Sequence, residues 1–217
     1  MLTPRRGGGK EPWATPMRYR SNTEFLGIPL ICVAVGPDPA RRESRGVVQS
    51  ASYAARKFGV RAGMPIAQAA RLCPDATFFK GSFPHYRDAS RAVRAVLARH
   101  SPVVAMASLD EGYLDFSGTE ALHPVSLLPV AAALRGEIKQ ETGLDSSVGI
   151  GPNRMIAKLA SDYAKPRGIC EVRAGWERGF VAGLELRALP GIVPRTAEKL
   201  KALGLTGTVL LVTDNLD

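Results

Sequence analysis

The segment from residue 103 to residue 116 constrains the fold of this chain more than any other. An apolar run, Val103–Ala107, precedes two adjacent carboxylates, Asp110 and Glu111, and residues 113–116 then alternate between faces as a strand does. Neighbouring side chains of an extended strand point to opposite faces, so these carboxylates can share a site only at a turn or strand end. The pattern predicts a β-hairpin with the carboxylates at its tip and Gly112 as the turn residue.

A pair of carboxylates at the rim of a sheet is a candidate metal site. Asp110 and Glu111 offer hard oxygen ligands, which suit Mg²⁺ and leave coordination positions for substrate phosphates. A second interpretation stays open at this point, because an Asp-Glu-Gly turn is also favoured for local reasons at a solvated hairpin tip.

The composition favours a soluble protein with an anionic partner. The 217 residues carry a net charge of +9, which attracts polyanions such as nucleic acid but is also compatible with solubility alone. The cysteines Cys32, Cys73 and Cys170 lie too far apart for a Cys-x-x-Cys site and are predicted to be reduced in a cytoplasmic protein. Since no apolar run reaches the roughly 18 residues of a membrane span, no membrane partner is expected.

Periodicity and capping residues predict a mixture of helices and strands, which is an α+β fold. Residues 1–16, rich in Gly, Pro and Arg, predict a disordered tail, and residues 175–217 predict a separate helical region. The predicted strands are 30–35, 47–51, 103–108, 112–116, 147–150 and 169–172, and the predicted helices are 52–58, 64–73, 88–100, 130–142 and 153–163.

Segments on both sides of the hairpin indicate a family to which the sequence is similar. They read SYAARKFGVRAGMP at 52–65, VGIGPNRMIAKLAS at 148–161 followed by AKPRG at 164–168, and LPGIVPRTAEKL at 189–200. With the hairpin, in this order and at this spacing, they resemble the Y-family translesion DNA polymerases, closest to the DNA polymerase IV branch. The resemblance runs from about residue 29 to about residue 212.

The resemblance implies a fold and a function. The fold would be a ferredoxin-like palm at 87–174, a small fingers subdomain at 17–86 and a partial helical thumb at 175–217 that contains a helix-hairpin-helix. The function would be template-directed DNA synthesis opposite damaged bases, with Mg²⁺ as cofactor. Primer-template DNA and a deoxynucleoside triphosphate would be the partners, together with a sliding clamp reached through a segment absent from this sequence.

The resemblance also implies roles for individual residues. Asp110 and Glu111 would be catalytic and hold the metal, and Tyr53, Arg56 and Lys165 would bind the nucleotide. Tyr53 and Arg56 lie three apart, so they share a helical face where a hydroxyl and a guanidinium can grip phosphate oxygens.

Two smaller patterns lie in the 148–161 segment, and the sequence leaves more than one role open for each. Gly149 and Gly151 superficially resemble a dinucleotide-binding turn, but the third glycine is absent and a supporting role in the palm is the better interpretation. Arg154 and Lys158 stay open as charges on the DNA or nucleotide side.

The predicted helix-hairpin-helix would bind DNA phosphate through backbone N–H groups at a helix N-terminus. Its DNA-binding positions are Gly191, Val193, Thr196 and Lys199. The family usually has glycine where this chain has Val193, so a distorted turn with weaker phosphate contact is expected.

The resemblance has two departures. No apolar-Asp-apolar-Asp strand precedes Ile28, so one metal-binding Asp of the family is expected to be missing, and the family's little-finger domain is expected to be absent. A two-metal site that loses a ligand is impaired. The alternative hypothesis is therefore a catalytically inactive DNA-binding remnant or fragment of such a polymerase.

Overall fold

The structure, a computed structural model, describes residues 30–33, as backbone alone, and 46–204. The chain divides into two compact units, Met1–Ala89 and Ser90–Asp217. The predicted tail at 1–16, the expected lack of an Asp-bearing strand before Ile28 and the end of the predicted thumb lie outside the described residues.

The first unit contains a three-stranded sheet among the described residues, in the order β2–β1–β3. Strand β1 (Leu30–Val33) pairs antiparallel with β2 (Val48–Ala51) and parallel with β3 (Thr77–Lys80). A parallel pair needs a crossover, and here helices α1 (Tyr53–Lys57) and α2 (Ile66–Leu72) lie between β2 and β3 along the chain. The sheet and the helices therefore form one layer pair around a small core.

That core consists of small and branched apolar side chains. Its buried members are Val48, Ala51, Ala55, Val60, Ile66, Ala69, Cys73 and Ala76. Helix α1 begins where predicted, because the Ser52 hydroxyl accepts a hydrogen bond from the Ala55 N–H at 3.2 Å. With only five residues, α1 depends on this cap and on packing rather than on its own propensity.

In the second unit, the predicted carboxylate hairpin is present. Strands β4 (Val104–Met106) and β5 (Gly112–Leu114) pair antiparallel, with Met106 opposite Gly112. Helix α3 (Phe83–His100), which begins in the first unit, and helix α4 (Leu128–Thr142) supply the apolar residues that cover this hairpin. The buried Ser101 hydroxyl donates to the Asp115 carbonyl at 2.7 Å and so ties the start of the hairpin to its end.

A strand-helix-strand segment follows. Strands β6 (Val148–Ile150) and β7 (Ile169–Glu171) pair in parallel, with helix α5 (Arg154–Tyr163) between them along the chain. A Cβ on Gly149 would lie 2.0 Å from the Ala157 carbonyl oxygen, so only glycine lets helix and strand approach this closely. This close approach agrees with a structural role for Gly149, while its role in a palm stays a prediction.

The last described residues form helix α6 (Glu177–Ala182), a 3₁₀ turn at Leu186–Ala188 and helix α7 (Pro194–Ala202). The predicted helical character after residue 175 is confirmed for this part. Strands β4–β5 and β6–β7 form separate two-stranded ladders within the described residues, so the ferredoxin-like arrangement and the helix-hairpin-helix stay predictions.

Two of these elements differ from the sequence-based predictions. Strand β3 was not predicted, and helix α3 begins at Phe83 rather than at residue 88, because Pro84 fits a first helical turn that needs no N–H donor.

The described cysteines, Cys73 and Cys170, are free thiols, as predicted. None of the helices among residues 46–204 combines the length and apolar character needed to cross a membrane.

Candidate active site

The hairpin turn places its carboxylates differently from the prediction. The Ala107 N–H donates to the Glu111 carbonyl at 2.9 Å, so residues 107–111 form the turn and Gly112 is already the first residue of β5. The assignment of the turn to Gly112 was therefore wrong. Glycine is needed there for space, because a Cβ would lie 2.9 Å from the Met106 sulfur and 3.0 Å from a Leu97 methyl.

The side chain of Asp110 is exposed at the tip of the turn. Its Oδ1 accepts a hydrogen bond from the Ser108 hydroxyl at 2.6 Å, and that hydroxyl in turn accepts from the Asp110 N–H at 3.3 Å. This local arrangement orders the carboxylate while leaving it in contact with solvent. Asp110 can therefore reach a cation or a substrate without moving the strands.

The carboxylate of Glu111 is held at both oxygens. The Tyr113 hydroxyl donates to Oε1 at 2.6 Å, and the Lys158 ammonium donates to Oε2 at 2.5 Å. The hydrogen bond from Lys158, followed by that from Tyr113, holds the pKa of Glu111 below its ordinary value. The group is therefore an anion at neutral pH, which is the state that a metal ligand requires.

Aromatic and basic groups surround this anion. The hydrogen bond to Glu111, with burial, raises the pKa of the Tyr113 hydroxyl, which keeps it protonated as a donor. The guanidinium carbon of Arg154 lies 5.5 Å from the centre of the Tyr113 ring, within the range of a cation–π contact. Of the two charged residues whose roles the sequence left open, Lys158 contacts the predicted metal ligand directly, and Arg154 contacts the tyrosine that is hydrogen-bonded to it.

Helix α5 continues the pattern of opposite charges. Lys158 Nζ lies 3.7 Å from Oδ2 of Asp162, and Lys165 Nζ lies 2.6 Å from Oδ1 of the same carboxylate. Burial lowers the pKa of Lys158, but the hydrogen bond with Glu111 and the attraction of Asp162 outweigh it, so the pKa lies above its ordinary value. Charges of alternating sign therefore connect the predicted metal ligand with the predicted triphosphate lysine.

A cavity of about 560 Å³ in the second unit opens beside these groups. One side is polar and includes Glu111, and the other is apolar and comes from the turn before α7. The lining residues are Glu111, Tyr113, Arg154, Met155, Lys158, Leu189, Pro190 and Ile192. A ligand with a charged and an apolar part fits such a surface better than a bare ion does.

The donor chemistry fits a hard divalent cation. The ammonium of Lys158 already occupies a cation position on Glu111, and Asp110 supplies a second carboxylate from the adjacent residue. Oxygen donors of this kind are those that Mg²⁺ takes. Within residues 46–204 there is no group of three or more His, Cys, Asp or Glu that could hold a metal.

The first unit brings together the other predicted nucleotide residues. The side chain of Tyr53 is 54% exposed, and the guanidinium carbon of Arg56 lies 5.5 Å from the centre of its ring. Arg56 Nε donates to the Ala51 carbonyl at 3.0 Å, so the terminal nitrogens are the ones left to grip an anion in this conformation. The predicted clamp of a hydroxyl and a guanidinium is thus an exposed pair anchored to the end of β2.

The predicted DNA-binding turn has a left-handed backbone conformation at Gly191, with φ of 86°, which glycine adopts without strain. Val193 has φ of −74°, which a β-branched residue adopts without strain, so the expected distortion at this position is not found. No side chain caps α7, which leaves the N–H groups at its start to other acceptors. Gly191, Val193, Thr196 and Lys199 are all exposed.

Two residues of this site were missed by the sequence analysis. Tyr113 follows Glu111 by two residues and so lies on the same face of the strand, which is a signal that the sequence does contain. Asp162 lies four residues after Lys158 on the same face of α5, and it also contacts Lys165, which follows the helix. What the sequence could not show is that this face meets Glu111.

The fold of this chain is that of the Y-family DNA polymerases. The crystal structure of DinB from Sulfolobus solfataricus is similar with a TM-score of 0.77 and 29% identity, over 89% of this chain and 55% of that one. The insertion ternary complex of Dbh DNA polymerase gives a TM-score of 0.74 at 30% identity, over 88% of this chain and 56% of that one.

The chain belongs to the impB/mucB/samB family, whose family model matches residues 20–162. DNA polymerase IV of Dehalococcoides mccartyi strain BAV1 is 43% identical over 182 residues, which are 84% of this chain and 45% of that protein. This chain therefore spans about half the length of the relatives and solved structures that it matches. The resemblance predicted from the sequence is confirmed.

Proposed function

We propose that this chain carries the catalytic part of a translesion DNA polymerase, which adds deoxynucleotides to a primer opposite damaged template bases. The observation that carries the proposal is the Glu111 carboxylate, which lies at the hairpin turn with Asp110 and accepts hydrogen bonds from Lys158 and Tyr113. The reaction would be attack of the primer 3′-hydroxyl on the α-phosphate of the nucleotide. The relatives of this chain are named DNA polymerase IV, so the inactive remnant is the less favoured alternative.

Glu111, which lines the cavity, and Asp110, exposed at the tip of the turn, would hold Mg²⁺ through their carboxylate oxygens. When bound, Mg²⁺ would favour deprotonation of the primer hydroxyl and neutralise charge that develops on the phosphates. The contribution of the protein would otherwise be positioning and electrostatic stabilisation. Asp110 and Glu111 are thus the proposed catalytic residues.

The nucleotide would be gripped by cations from different parts of the chain. Tyr53 and Arg56 would bind the triphosphate from helix α1, and Lys165 would bind it from the segment after α5. The division of roles that we propose is fingers at 17–86, palm at 87–174 and partial thumb at 175–217. The boundary between the compact units, after Ala89, supports the first of these limits.

Primer-template DNA would lie against the turn before α7. The N–H groups of Arg195 and Thr196, in the first turn of α7 after Gly191 and Val193, would contact phosphate, and the exposed Thr196 and Lys199 would add a hydroxyl and a positive charge. A ferredoxin-like palm sheet, a helix-hairpin-helix thumb, a sliding clamp as a further partner and a cytoplasmic location complete the proposal.

The test is single-nucleotide extension of a labelled primer by the purified chain, with and without Mg²⁺. Asp110→Ala and Glu111→Gln should each reduce the Mg²⁺-dependent rate by at least about 100-fold, because each removes charge that stabilises the transition state. Asp75→Asn removes an exposed carboxylate from the first unit and should leave the rate unchanged. Extension that survives both site variants, or that needs no divalent cation, would contradict the assigned roles.

A further inference from the structure

The ammonium group of Lys158 lies close to two carboxylates that belong to different elements. Nζ is 2.5 Å from Oε2 of Glu111 on the hairpin and 3.7 Å from Oδ2 of Asp162 on its own helix. The first distance is a charge-assisted hydrogen bond, and the second is an ion pair without one. Lys158 therefore has one partner that it binds and a second that it can reach.

We propose that Lys158 is a positioning residue that exchanges between these two carboxylates. It holds Glu111 while no divalent cation is bound, and it moves to Asp162 when Glu111 takes the cation. The inference rests on the proposed metal site, and it adds Lys158 and Asp162 to that site as residues that set its readiness for the cation.

Competition for one oxygen atom is the first argument. Oε2 of Glu111 accepts from Lys158, and Oε1 accepts from Tyr113, so a cation that approaches this carboxylate meets an oxygen that already has a positive partner. A dication and an ammonium repel each other, and the repulsion is strongest in the partly buried surroundings that Lys158 has. Lys158 must therefore leave Oε2 before the cation can use it.

The position of Asp162 is the second argument. A movement of Nζ by about 1 Å would bring it within hydrogen-bond distance of Oδ2, because charge-assisted N–H···O bonds are about 2.7–2.9 Å long. Asp162 lies one helical turn after Lys158, and its other oxygen, Oδ1, accepts from Lys165. The oxygen that faces Lys158 is thus not the one that holds Lys165.

Asp162 would make it easier for Lys158 to leave Glu111 when a cation binds. Without it, Lys158 would have to give up its only close carboxylate when the cation arrives, and the cation would compete against the full strength of that pair. With it, Lys158 exchanges one anionic partner for another. The two residues therefore have opposite effects: Lys158 opposes cation binding, and Asp162 reduces this opposition.

Binding of Mn²⁺ to the purified 217-residue chain, followed by electron paramagnetic resonance of the free ion, tests this directly. Lys158→Met should tighten Mn²⁺ binding by about tenfold, because it removes the competing positive charge at nearly constant volume. Asp162→Asn should weaken binding by about threefold in the wild-type background. Glu111→Gln defines the part of the binding that belongs to this site.

The double variant Lys158→Met/Asp162→Asn distinguishes an effect of Asp162 that acts through Lys158 from direct attraction between Asp162 and the cation. If Asp162 acts through Lys158, Asp162→Asn should have no effect once Lys158 is replaced by Met. If Asp162 merely attracts the cation at a distance, its effect will persist in the Lys158→Met background, and the proposal is then overturned. Lys165→Met is the matched control, since it removes the same charge from the other side of Asp162 without touching Glu111; an increase in affinity equal to that of Lys158→Met would also overturn the proposal.

A measurement on the wild-type chain needs no variant to fold. In nitrogen-15 spectra of the lysine side chains, the ammonium of Lys158 should couple across its hydrogen bond to the Glu111 carboxyl carbon without Mg²⁺ and to the Asp162 carboxyl carbon with saturating Mg²⁺. A coupling to Glu111 that persists in saturating Mg²⁺ contradicts the exchange. Mn²⁺ binding that does not depend on Glu111 contradicts it as well.

The outcome is independent of primer extension. If the affinities follow the expected signs but no nucleotide is incorporated, the exchange stands and the proposed polymerase activity of this chain fails. If nucleotide is incorporated through Asp110 and Glu111 while Lys158→Met leaves Mn²⁺ affinity unchanged, the proposed function stands and the exchange fails.

Discussion

Helices α1 and α5, which each carry residues of the proposed site, are built in contrasting ways. Helix α1 has five residues, its start depends on one hydroxyl cap, and it presents Tyr53 and Arg56 largely to solvent. Helix α5 has ten residues, packs against β6 with almost no space between the backbones, and presents Lys158, which is already paired with Glu111. Helix α1 positions its charged residues by a local cap, whereas helix α5 positions them by tertiary packing. The stability of the chain should therefore respond very differently to substitutions at the two helices.

The largest effect is expected at the contact between β6 and α5. Gly149→Ala would place a Cβ 2.0 Å from the Ala157 carbonyl oxygen and 2.2 Å from the Ser161 nitrogen, and neither backbone group can move alone. We expect a loss of more than about 3 kcal/mol in the free energy of unfolding, at the upper end for overpacking. The midpoint of urea denaturation of the chain measures this.

Gly136→Ala is the control for that substitution. Gly136 lies inside α4 with nothing within 4 Å of an added Cβ, so alanine should stabilise the chain by up to about 1 kcal/mol through helix propensity. Equal effects of the two substitutions would mean that α5 does not depend on the close approach, and the contrast between the helices would then be lost.

A smaller effect is expected at the cap of α1. Ser52→Ala removes the acceptor for the Ala55 N–H and should cost about 1 kcal/mol, while Ser52→Asp, which keeps an acceptor, should cost much less. Because α1 has little else to define its start, the loss should also weaken nucleotide binding, which the fluorescence of a labelled triphosphate would measure. Ser52→Ala with unchanged affinity would show that Tyr53 and Arg56 are positioned by β2 rather than by the helix start.

The smallest effect concerns an ion pair outside the proposed site. The hydrogen bond from Arg99, with a contribution from His100, holds the pKa of the exposed Glu137 below its ordinary value. A lowered carboxyl pKa adds stability that is present above the unfolded pKa of about 4.3 and is lost as the pH falls through the lower folded value. Glu137→Gln should therefore be less stable than wild type at neutral pH and lose that difference in acid, as urea denaturation at a series of pH values would show.

This last variant also sharpens the comparison with α5. Glu137 belongs to an exposed pair between α3 and α4, and such pairs contribute little to stability. Its removal should leave Mn²⁺ binding unchanged, whereas changes at Lys158 and Asp162 should alter it. A change in Mn²⁺ affinity in Glu137→Gln would mean that overall charge, rather than the contacts of Glu111, determines cation binding.

The sequence predicted local features well and tertiary contacts poorly. The Ser52 cap and the hairpin around Asp110 and Glu111 were found because their determinants lie within a few residues. Strand β3 was missed because its pairing partner, β1, lies more than forty residues earlier and forms a parallel ladder that no turn signals. Gly112 was assigned to a turn because glycine commonly permits turns, whereas here it makes room for Met106 and Leu97.

The candidate site shows the same division. Asp110 and Glu111 were predicted from their position after an apolar strand, and Lys165 from the resemblance. The sequence did not reveal that Lys158 is the partner of Glu111, because the two residues lie 47 positions apart. Charged residues of both signs lie near Lys158 in the sequence, and nothing in it indicated which of them contacts the hairpin. Spacing along α5 places Lys158 and Asp162 on one face but says nothing about what that face meets.

The close approach at Gly149 has a consequence for the speed of any rearrangement near Glu111. A helix whose backbone touches the strand beneath it cannot slide or rotate on that strand without opening the contact. The exchange proposed for Lys158 is therefore confined to side-chain rotamers, which interconvert within picoseconds to nanoseconds, whereas collective movements of helices take microseconds to milliseconds. Occupation of the site by a cation should then be limited by diffusion and dehydration of the ion, with no slow protein step in the second unit.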